Sequence, residues 1–165
     1  LAAGAMVITG CVSVNDARSS IDWQVLIVIA SALGIGNALQ VTGVAESLAG
    51  TFIGFAGDQP YLVLISVYLV TWMLTELITN NAAAVLIFPF ALSIATSLDV
   101  NYMPYVMTIM FAASASFATP IGYQTNLMVD GAGGYRFSDF LKIGLPLNLI
   151  VAIITILLVP IIWPF

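Results

Sequence analysis

The chain alternates between long apolar runs and short polar segments, and several of the runs approach the length that spans a bilayer. We predict a single membrane domain over residues 1–165. Its segments are the end of a spanning helix (1–14), a spanning helix with an interfacial helix (23–55), a re-entrant helical hairpin (61–97), a broken helix (104–134) and a last spanning helix (143–163). The pattern therefore predicts an all-α integral membrane protein.

The apolar run of residues 61–97 is interrupted only by Thr79-Asn80-Asn81, and its one charged side chain is Glu76. Hydrocarbon cannot satisfy amides and hydroxyls, so these groups must face protein, a water-filled cavity or a ligand. The two apolar arms are roughly 27 and 24 Å long at about 1.5 Å per residue, slightly short for full spans. We therefore predict a re-entrant hairpin with its tip inside the membrane. Two full spans joined by a tight turn are the alternative.

A second polar interruption, residues 118–126, divides the broken helix. Pro104 is well placed to start the first half-helix. Asn126 can open the second half-helix, which is expected to end in the glycine-rich residues 131–134. Two interrupted segments in one short membrane chain are typical of a solute-binding site in a transporter.

Each interruption leaves helix ends inside the membrane. The helix N-termini after Asn81 and Thr125 present free N–H groups and a partial positive charge, which can hold an anion without arginine or lysine. The helix C-termini near Ile78 and Ala118 present free carbonyls that suit a small hard cation. An anion site beside a cation site is the physical basis for cation-coupled anion uptake.

Composition excludes several other classes of protein. Hydrophobic residues make up 61% of the 165 and charged residues 7%, too few to cover a soluble domain. Without a basic patch, no nucleic-acid partner is expected. Histidine is absent and Cys11 is the only cysteine, so we expect no histidine-dependent triad and no cysteine-based metal cluster. Glu76 is the only acid predicted to be buried in a span, so we predict that the protein is not an enzyme and uses no organic cofactor.

The three basic residues predict the orientation in the membrane. Arg18, Arg136 and Lys142 fall on the same side if the hairpin enters and leaves on one face. By the positive-inside rule that side is cytoplasmic. We therefore expect a multi-pass protein of the cell membrane whose hairpin opens outwards and whose C-terminus lies outside.

Three sequence features together resemble one family, the divalent anion:sodium symporters of the ion transporter superfamily. Thr75-Glu76-Leu77-Ile78-Thr79-Asn80-Asn81, followed by three alanines, is similar to that family's hairpin-tip motif. Residues 119–126 resemble its unwound helix segment, and residues 133–144 resemble the connection to its last helix. The resemblance covers essentially the whole chain, read as the C-terminal inverted repeat. Since Leu1 lies in the middle of an apolar segment, an upstream N-terminal repeat is expected.

The resemblance implies an elevator-type secondary transporter that works as a homodimer and needs the N-terminal repeat. It implies a sodium site, and the ligands carried onto this chain are Thr75, Ile78, Asn80 and Gly122. It also implies a set of substrate-binding residues: Thr79, Asn80, Asn81, Tyr123, Gln124, Thr125 and Asn126. Asn126 is in addition expected to orient the second half-helix. The coupling ion is expected to be sodium, with a proton as the alternative.

Two departures from the family pattern concern the substrate. Asn81 stands where threonine is usual, and Tyr123-Gln124 replaces a more common Thr-Pro pair. The resulting version is closer to the sulfate-type branch than to the dicarboxylate branch. A citrate or arsenite transporter, a sodium/proton antiporter and a channel are the alternatives. We read Glu76 as a structural acid that supports the site, with a role in proton coupling as the other reading.

Overall fold

The computed structural model describes residues 2–21, 23–44, 47, 50, 54, 57 and 59–165. All regular secondary structure in these residues is helical. The helices are α1 (Ala2–Ile8), α2 (Val14–Ser19), α3 (Trp23–Val41), α4 (Pro60–Thr75), α5 (Asn80–Ser97), α6 (Met103–Ser114), α7 (Gln124–Gly133) and α8 (Phe137–Ile162). Within the described part of the chain, α5 and α8 are long and apolar enough to cross a membrane, while α4 and α6 are shorter apolar helices. This all-helical architecture agrees with the predicted all-α membrane fold.

The N-terminal segment differs from the prediction. The first helix ends at Ile8 and does not continue to residue 14, because Gly10 adopts a left-handed conformation with φ 74°. A separate helix, α2, then forms mainly between the first two predicted segments, where Ser13 accepts a hydrogen bond from the Asp16 N–H as its N-cap. The predicted interfacial helix falls on residues 43–55, most of which lie outside the described residues.

Helices α4, α5 and α6 form the centre of the described structure, with α8 packed against α4 and α6 and α3 against α5. Two contacts fix the directions of α4 and α6. The Tyr105 hydroxyl donates to the Pro60 carbonyl at 3.3 Å, and the Thr75 hydroxyl donates to the Ala113 carbonyl at 2.6 Å. Both helices therefore run the same way and pack directly against each other, while α5 runs back in the opposite direction and contacts both. The main buried apolar side chains are Leu64, Tyr68, Ile94, Tyr105, Ile109 and Val159.

The C-terminus lies at the open end of the α4–α5 pair. The Phe165 ring is 5.4 Å from the ring of Tyr61 and 5.6 Å from that of Tyr105. At the same end, Asn101 donates to the Pro164 carbonyl at 3.1 Å. The far end of the pair, where α4 turns into α5, therefore lies beside an earlier part of α8.

Helix α8 begins at Phe137, six residues before the predicted start of the last span. The earlier start follows from a local cap, because the Asp139 carboxylate accepts from the Arg136 N–H at 3.0 Å. Much of the outer surface of α8 is apolar and exposed, as expected for a helix in lipid. The exposed side chains include Leu149, Ile150, Ile153, Ile154, Leu157, Leu158 and Ile161.

The broken helix is interrupted earlier than predicted. Helix α6 ends at Ser114 and α7 starts at Gln124, so residues 115–123, here named the break, separate the two halves. The break lies against α8 at Gly144, where an added Cβ would overlap the Phe117 carbonyl and reach 2.7 Å from the Ala118 Cα. Glycine at this position lets the two backbones approach closely.

Substituting Gly144 tests this close approach. We expect Gly144→Ala to destabilise the protein by about 1–3 kcal/mol, because backbone atoms of the break must move to accommodate the methyl group. The measurement is the melting temperature of the intact protein in detergent. Ile143→Ala, at the exposed neighbouring position, is the control and should melt within a degree or two of the parent. Equal melting of Gly144→Ala and the parent would show that α8 does not contact the break this closely.

Candidate functional site

The turn between α4 and α5 is only four residues long. Helix α4 ends at Thr75, and α5 begins at Asn80. Thr79 is the N-cap of α5 and accepts from the Ala82 N–H at 3.4 Å. Asn80 and Asn81 are therefore the first two residues of α5, and the sequence prediction that they form the joint itself is corrected. Because Thr79 satisfies an N–H of the first turn, the helix can start directly at the polar triplet.

Oxygen atoms from three parts of the chain meet at the side chain of Asn80. One atom of its amide lies 3.0 Å from the Thr75 hydroxyl, 3.1 Å from the Gly122 carbonyl and 3.2 Å from the Ala113 carbonyl. In the orientation that satisfies its neighbours, the Asn80 nitrogen lies there and donates to both carbonyls and to the Thr75 hydroxyl. With the amide turned over, its oxygen joins the other three oxygens, an arrangement that suits a bound cation.

The donor set at Asn80 suits a small monovalent cation. All four oxygens are neutral, and no group of three acidic, histidine or cysteine side chains gathers in the described part of the chain. A tight calcium site would need more carboxylates. The structure thus brings together Thr75, Asn80 and Gly122, three of the four sodium ligands that the resemblance implied. The described contacts of the fourth, Ile78, do not reach this cluster.

Ala113 was not among the ligands predicted from sequence. The prediction placed the end of the first half-helix at Ala118, whereas α6 ends at Ser114. The free carbonyls of a helix C-terminus belong to its last turn, so an error of four residues in the helix end shifts the candidate carbonyl by the same amount. A correct helix end would have identified Ala113.

Gly122 allows the break to approach α4. A Cβ at this position would overlap the Ser116 hydroxyl and lie 2.7 Å from the Thr75 carbonyl. Since Gly122 also contacts Asn80, its backbone is held between the end of α4 and the start of α5. Any larger residue would displace the break from the oxygen cluster.

Two helix N-termini meet at the same point. Asn80 is the first residue of α5, and Gly122 lies two residues before the start of α7, so their contact brings the two helix starts together. Both helix dipoles present positive ends there, which favours an anion. The predicted substrate residues nearby that are exposed are Thr79, Asn81, Tyr123 and Thr125. The side chain of Gln124 lies outside what the structure describes.

Asn126 braces the break and does not open α7, which starts two residues earlier. Its side-chain nitrogen donates to the Ser116 carbonyl at 2.9 Å and to the Thr119 carbonyl at 3.0 Å. These bonds close the break into a compact loop at the start of α7. The sequence prediction that Asn126 orients the second half-helix stays a prediction about function.

Glu76 lies between the hairpin tip, the break and α8. Its carboxylate accepts from Asn148 of α8 at 2.8 Å and from the Ala118 N–H at 3.1 Å. Trp72 and Ser116 also reach the carboxylate, at 3.2 and 3.4 Å. Asn148 was missed in the sequence prediction, although an amide within the apolar last span is a signal that could have identified it.

Comparison with known proteins gives a family for the whole chain. A family model described as "Citrate transporter" matches residues 1–164. The chain is 43% identical over 161 residues to an "Uncharacterized transporter" of Synechocystis, an alignment that covers 96% of this chain and 26% of the relative.

Two further relatives carry names that state a solute. The chain is 40% identical over 153 residues to "Probable sodium/sulfate cotransporter 3" of Chlamydomonas reinhardtii, covering 90% of this chain and 17% of that protein. It is 39% identical over 148 residues to "Sodium/sulfate cotransporter 1" of the same organism, covering 88% of this chain and 17% of the relative. The chain thus spans about a quarter of the length of the Synechocystis relative and less of the other two.

Asn126→Asp tests the two hydrogen bonds that the Asn126 side chain donates across the break. The substitution preserves shape but replaces a double donor with a carboxylate facing two carbonyl oxygens, so we expect a loss of about 2–4 kcal/mol. The measurement is thermal unfolding of the intact protein in detergent. Asn101→Asp is the matched control, because Asn101 is exposed and donates one bond to Pro164. A similar small effect for both variants would argue against the brace.

Proposed function

Because the chain belongs to the citrate transporter family, we propose that it forms part of a secondary active transporter that couples sodium to the uptake of a small divalent anion. Sulfate is the first candidate solute, and a dicarboxylate is the second. The relatives named sodium/sulfate cotransporters support this choice of solute and ion. The chain supplies the C-terminal repeat of a homodimeric, multi-pass protein of the cell membrane, and the N-terminal repeat completes the pathway.

One observation carries the proposal: the oxygen cluster at Asn80 coincides with the meeting point of two helix N-termini. The oxygens of Thr75, Ala113, Gly122 and Asn80 hold sodium, and the N–H groups at the starts of α5 and α7 attract the anion. A cation and an anion bound this closely stabilise each other, so each raises the affinity for the other. Mutual stabilisation is the energetic requirement for coupled transport.

The length of α8 supports a hairpin tip inside the membrane. Its 26 residues extend about 39 Å at 1.5 Å per residue, enough to span the hydrocarbon core. Asn148, which contacts Glu76 beside the tip, lies roughly 17 Å from the first residue of α8 and about 21 Å from the last. With α8 spanning the bilayer, the tip lies near its middle. This depth supports the proposal that the hairpin of α4 and α5 is re-entrant.

The orientation follows from the two ends of α8. Phe165 packs at the open end of the hairpin, while Arg136 and Lys142 lie at the opposite end of the helix. The positive-inside rule assigns Arg136 and Lys142 to the cytoplasm. The open end of the hairpin and the C-terminus then face outwards.

Citrate is a third candidate solute because the matching family is described by it. Citrate is larger than sulfate and carries three carboxylates, so it needs more donors than two helix starts supply. A sodium/proton antiporter, another of the alternatives, would show no gradient-driven uptake of any of these anions. Competition experiments therefore separate the candidates.

Transport by the intact protein in proteoliposomes tests the proposed function. We expect radiolabelled sulfate uptake to require an inward sodium gradient and to fall at least about tenfold in Asn80→Ala, which removes one oxygen ligand and one contact across the site. Asn101→Ala, an exposed amide at the other end of the bundle, is the control. Inhibition by excess succinate or citrate, with little sulfate uptake, would assign the site to carboxylates. No sodium-dependent uptake of any of these anions would refute the proposal.

Thr75→Val tests sodium binding separately from anion binding. Valine keeps the shape of the fully buried side chain but removes the hydroxyl that lies 3.0 Å from Asn80. We expect the sodium concentration for half-maximal uptake to rise about tenfold or more. Thr71→Val is the matched control: Thr71 is equally buried one turn earlier, and its hydroxyl donates within its own helix. Equal effects of the two variants would indicate general destabilisation and would contradict a ligand role.

A further inference from the structure

We propose that Glu76 is a positioning residue that holds the break against the sodium site by means of one carboxylate oxygen, and that its charge is not required. The proposal rests on the proposed function and assigns a role to a residue that does not itself contact the oxygen cluster.

The hydrogen bonds to the Glu76 carboxylate are strongly unequal. Its Oε1 accepts from Asn148 Nδ2 at 2.8 Å, from the Ala118 N–H at 3.1 Å and from Trp72 Nε1 at 3.2 Å. Among the described residues, its Oε2 meets only the Ser116 hydroxyl, at 3.4 Å. One oxygen atom therefore joins three elements of the fold: α4, the break and α8.

Two routes connect Glu76 with the oxygen cluster. Through its carboxylate it contacts Ser116, whose hydroxyl donates to the Thr75 carbonyl at 3.2 Å and packs directly against Gly122. Through its backbone carbonyl it accepts from the Thr119 hydroxyl at 3.0 Å, and that hydroxyl accepts from the Gly122 N–H at 3.2 Å. Both routes end at Gly122, so moving Glu76 moves a sodium ligand.

Asn148 supports the same interpretation from α8. It is 1% exposed, and its side-chain oxygen is buried without a partner in the structure. Burying a polar side chain in a spanning helix costs free energy unless the side chain forms hydrogen bonds. The Asn148 amide donates its bond to Glu76 Oε1, and this is the shortest hydrogen bond that the carboxylate accepts. Asn148 therefore holds the Glu76 carboxylate at a defined position along α8.

The partners of the carboxylate make the charge dispensable. All four are uncharged, and three of them donate to the same oxygen. Glutamine has the same shape and can present its oxygen to these three donors. Its NH₂ group would then face Ser116, whose hydroxyl can accept this bond while donating to the Thr75 carbonyl. A carboxyl group that carried the coupling proton would not tolerate this substitution.

The experiment compares Glu76→Gln with Glu76→Ala in the intact protein. We expect Glu76→Gln to keep the sodium concentration for half-maximal sulfate uptake within about threefold of the parent, and Glu76→Ala to raise it at least about tenfold. Saturating sodium should restore most of the maximal rate in Glu76→Ala, since the ligands remain and only their placement is lost. Asp99→Asn, an exposed acid in a loop, is the control for charge removal.

Asn148→Leu provides a second test if Glu76→Ala folds poorly. We expect it to raise the sodium requirement as well, and the double variant with Glu76→Ala to be less impaired than the two separate effects predict. Loss of sodium-dependent uptake in Glu76→Gln as severe as in Glu76→Ala would overturn the proposal in favour of a charged or proton-carrying role. An unchanged sodium requirement in Glu76→Ala would also overturn it.

Failure of the proposed function has a different signature. If the parent protein shows no sodium-dependent uptake of any tested anion, the transport proposal fails. The positioning role is then judged by melting temperature in detergent, with and without sodium. It requires Glu76→Ala to melt lower than the parent while Glu76→Gln melts with it, and equal melting of all three proteins would refute it.

Discussion

The whole structure depends on one constraint: a helix interrupted inside a membrane must satisfy its free carbonyl groups within the protein. Here the ends of two helices satisfy each other. The Thr75 hydroxyl of α4 donates to the Ala113 carbonyl of α6, while Ser116 and Thr119 of the break donate to the carbonyls of Thr75 and Glu76. The hairpin tip and the break are therefore a single unit of structure, and neither could keep its conformation without the other.

The groups that satisfy this constraint also form the candidate site. Carbonyl oxygens that are free of helical partners are good ligands for a small cation, and helix starts freed in the same way attract an anion. Gly122 shows how closely the two requirements are linked. The absence of a Cβ lets the break reach Thr75, and its carbonyl then joins the oxygens around Asn80. Structural support and the proposed ion binding thus rest on the same few atoms.

The helix ends were predicted less well than the residues that meet at the hairpin tip. The resemblance to the symporter motifs pointed to Thr75, Asn80 and Gly122, and the structure brings these three residues together, while their role as sodium ligands stays a prediction. Ala113 and Asn148 were missed: the first contributes only a backbone carbonyl, and the second gains its meaning from a contact with Glu76 across the fold. The starts of α2, α7 and α8 depended on local hydrogen bonds or turns, such as that between Arg136 and Asp139, which a hydrophobicity pattern does not encode.

Exposure divides the site into two parts. Thr75 and Gly122 are buried within the chain, whereas Thr79, Asn81 and Tyr123 are exposed at the helix starts. In the proposed mechanism, the sodium ligands are therefore complete within this chain, while the anion needs further contacts from the rest of the protein. Sodium would bind first at the buried junction and fix the distance between the starts of α5 and α7. That distance determines whether an anion can contact both helix starts at once. Sodium bound at the buried junction would therefore control the affinity for the anion at the exposed helix starts.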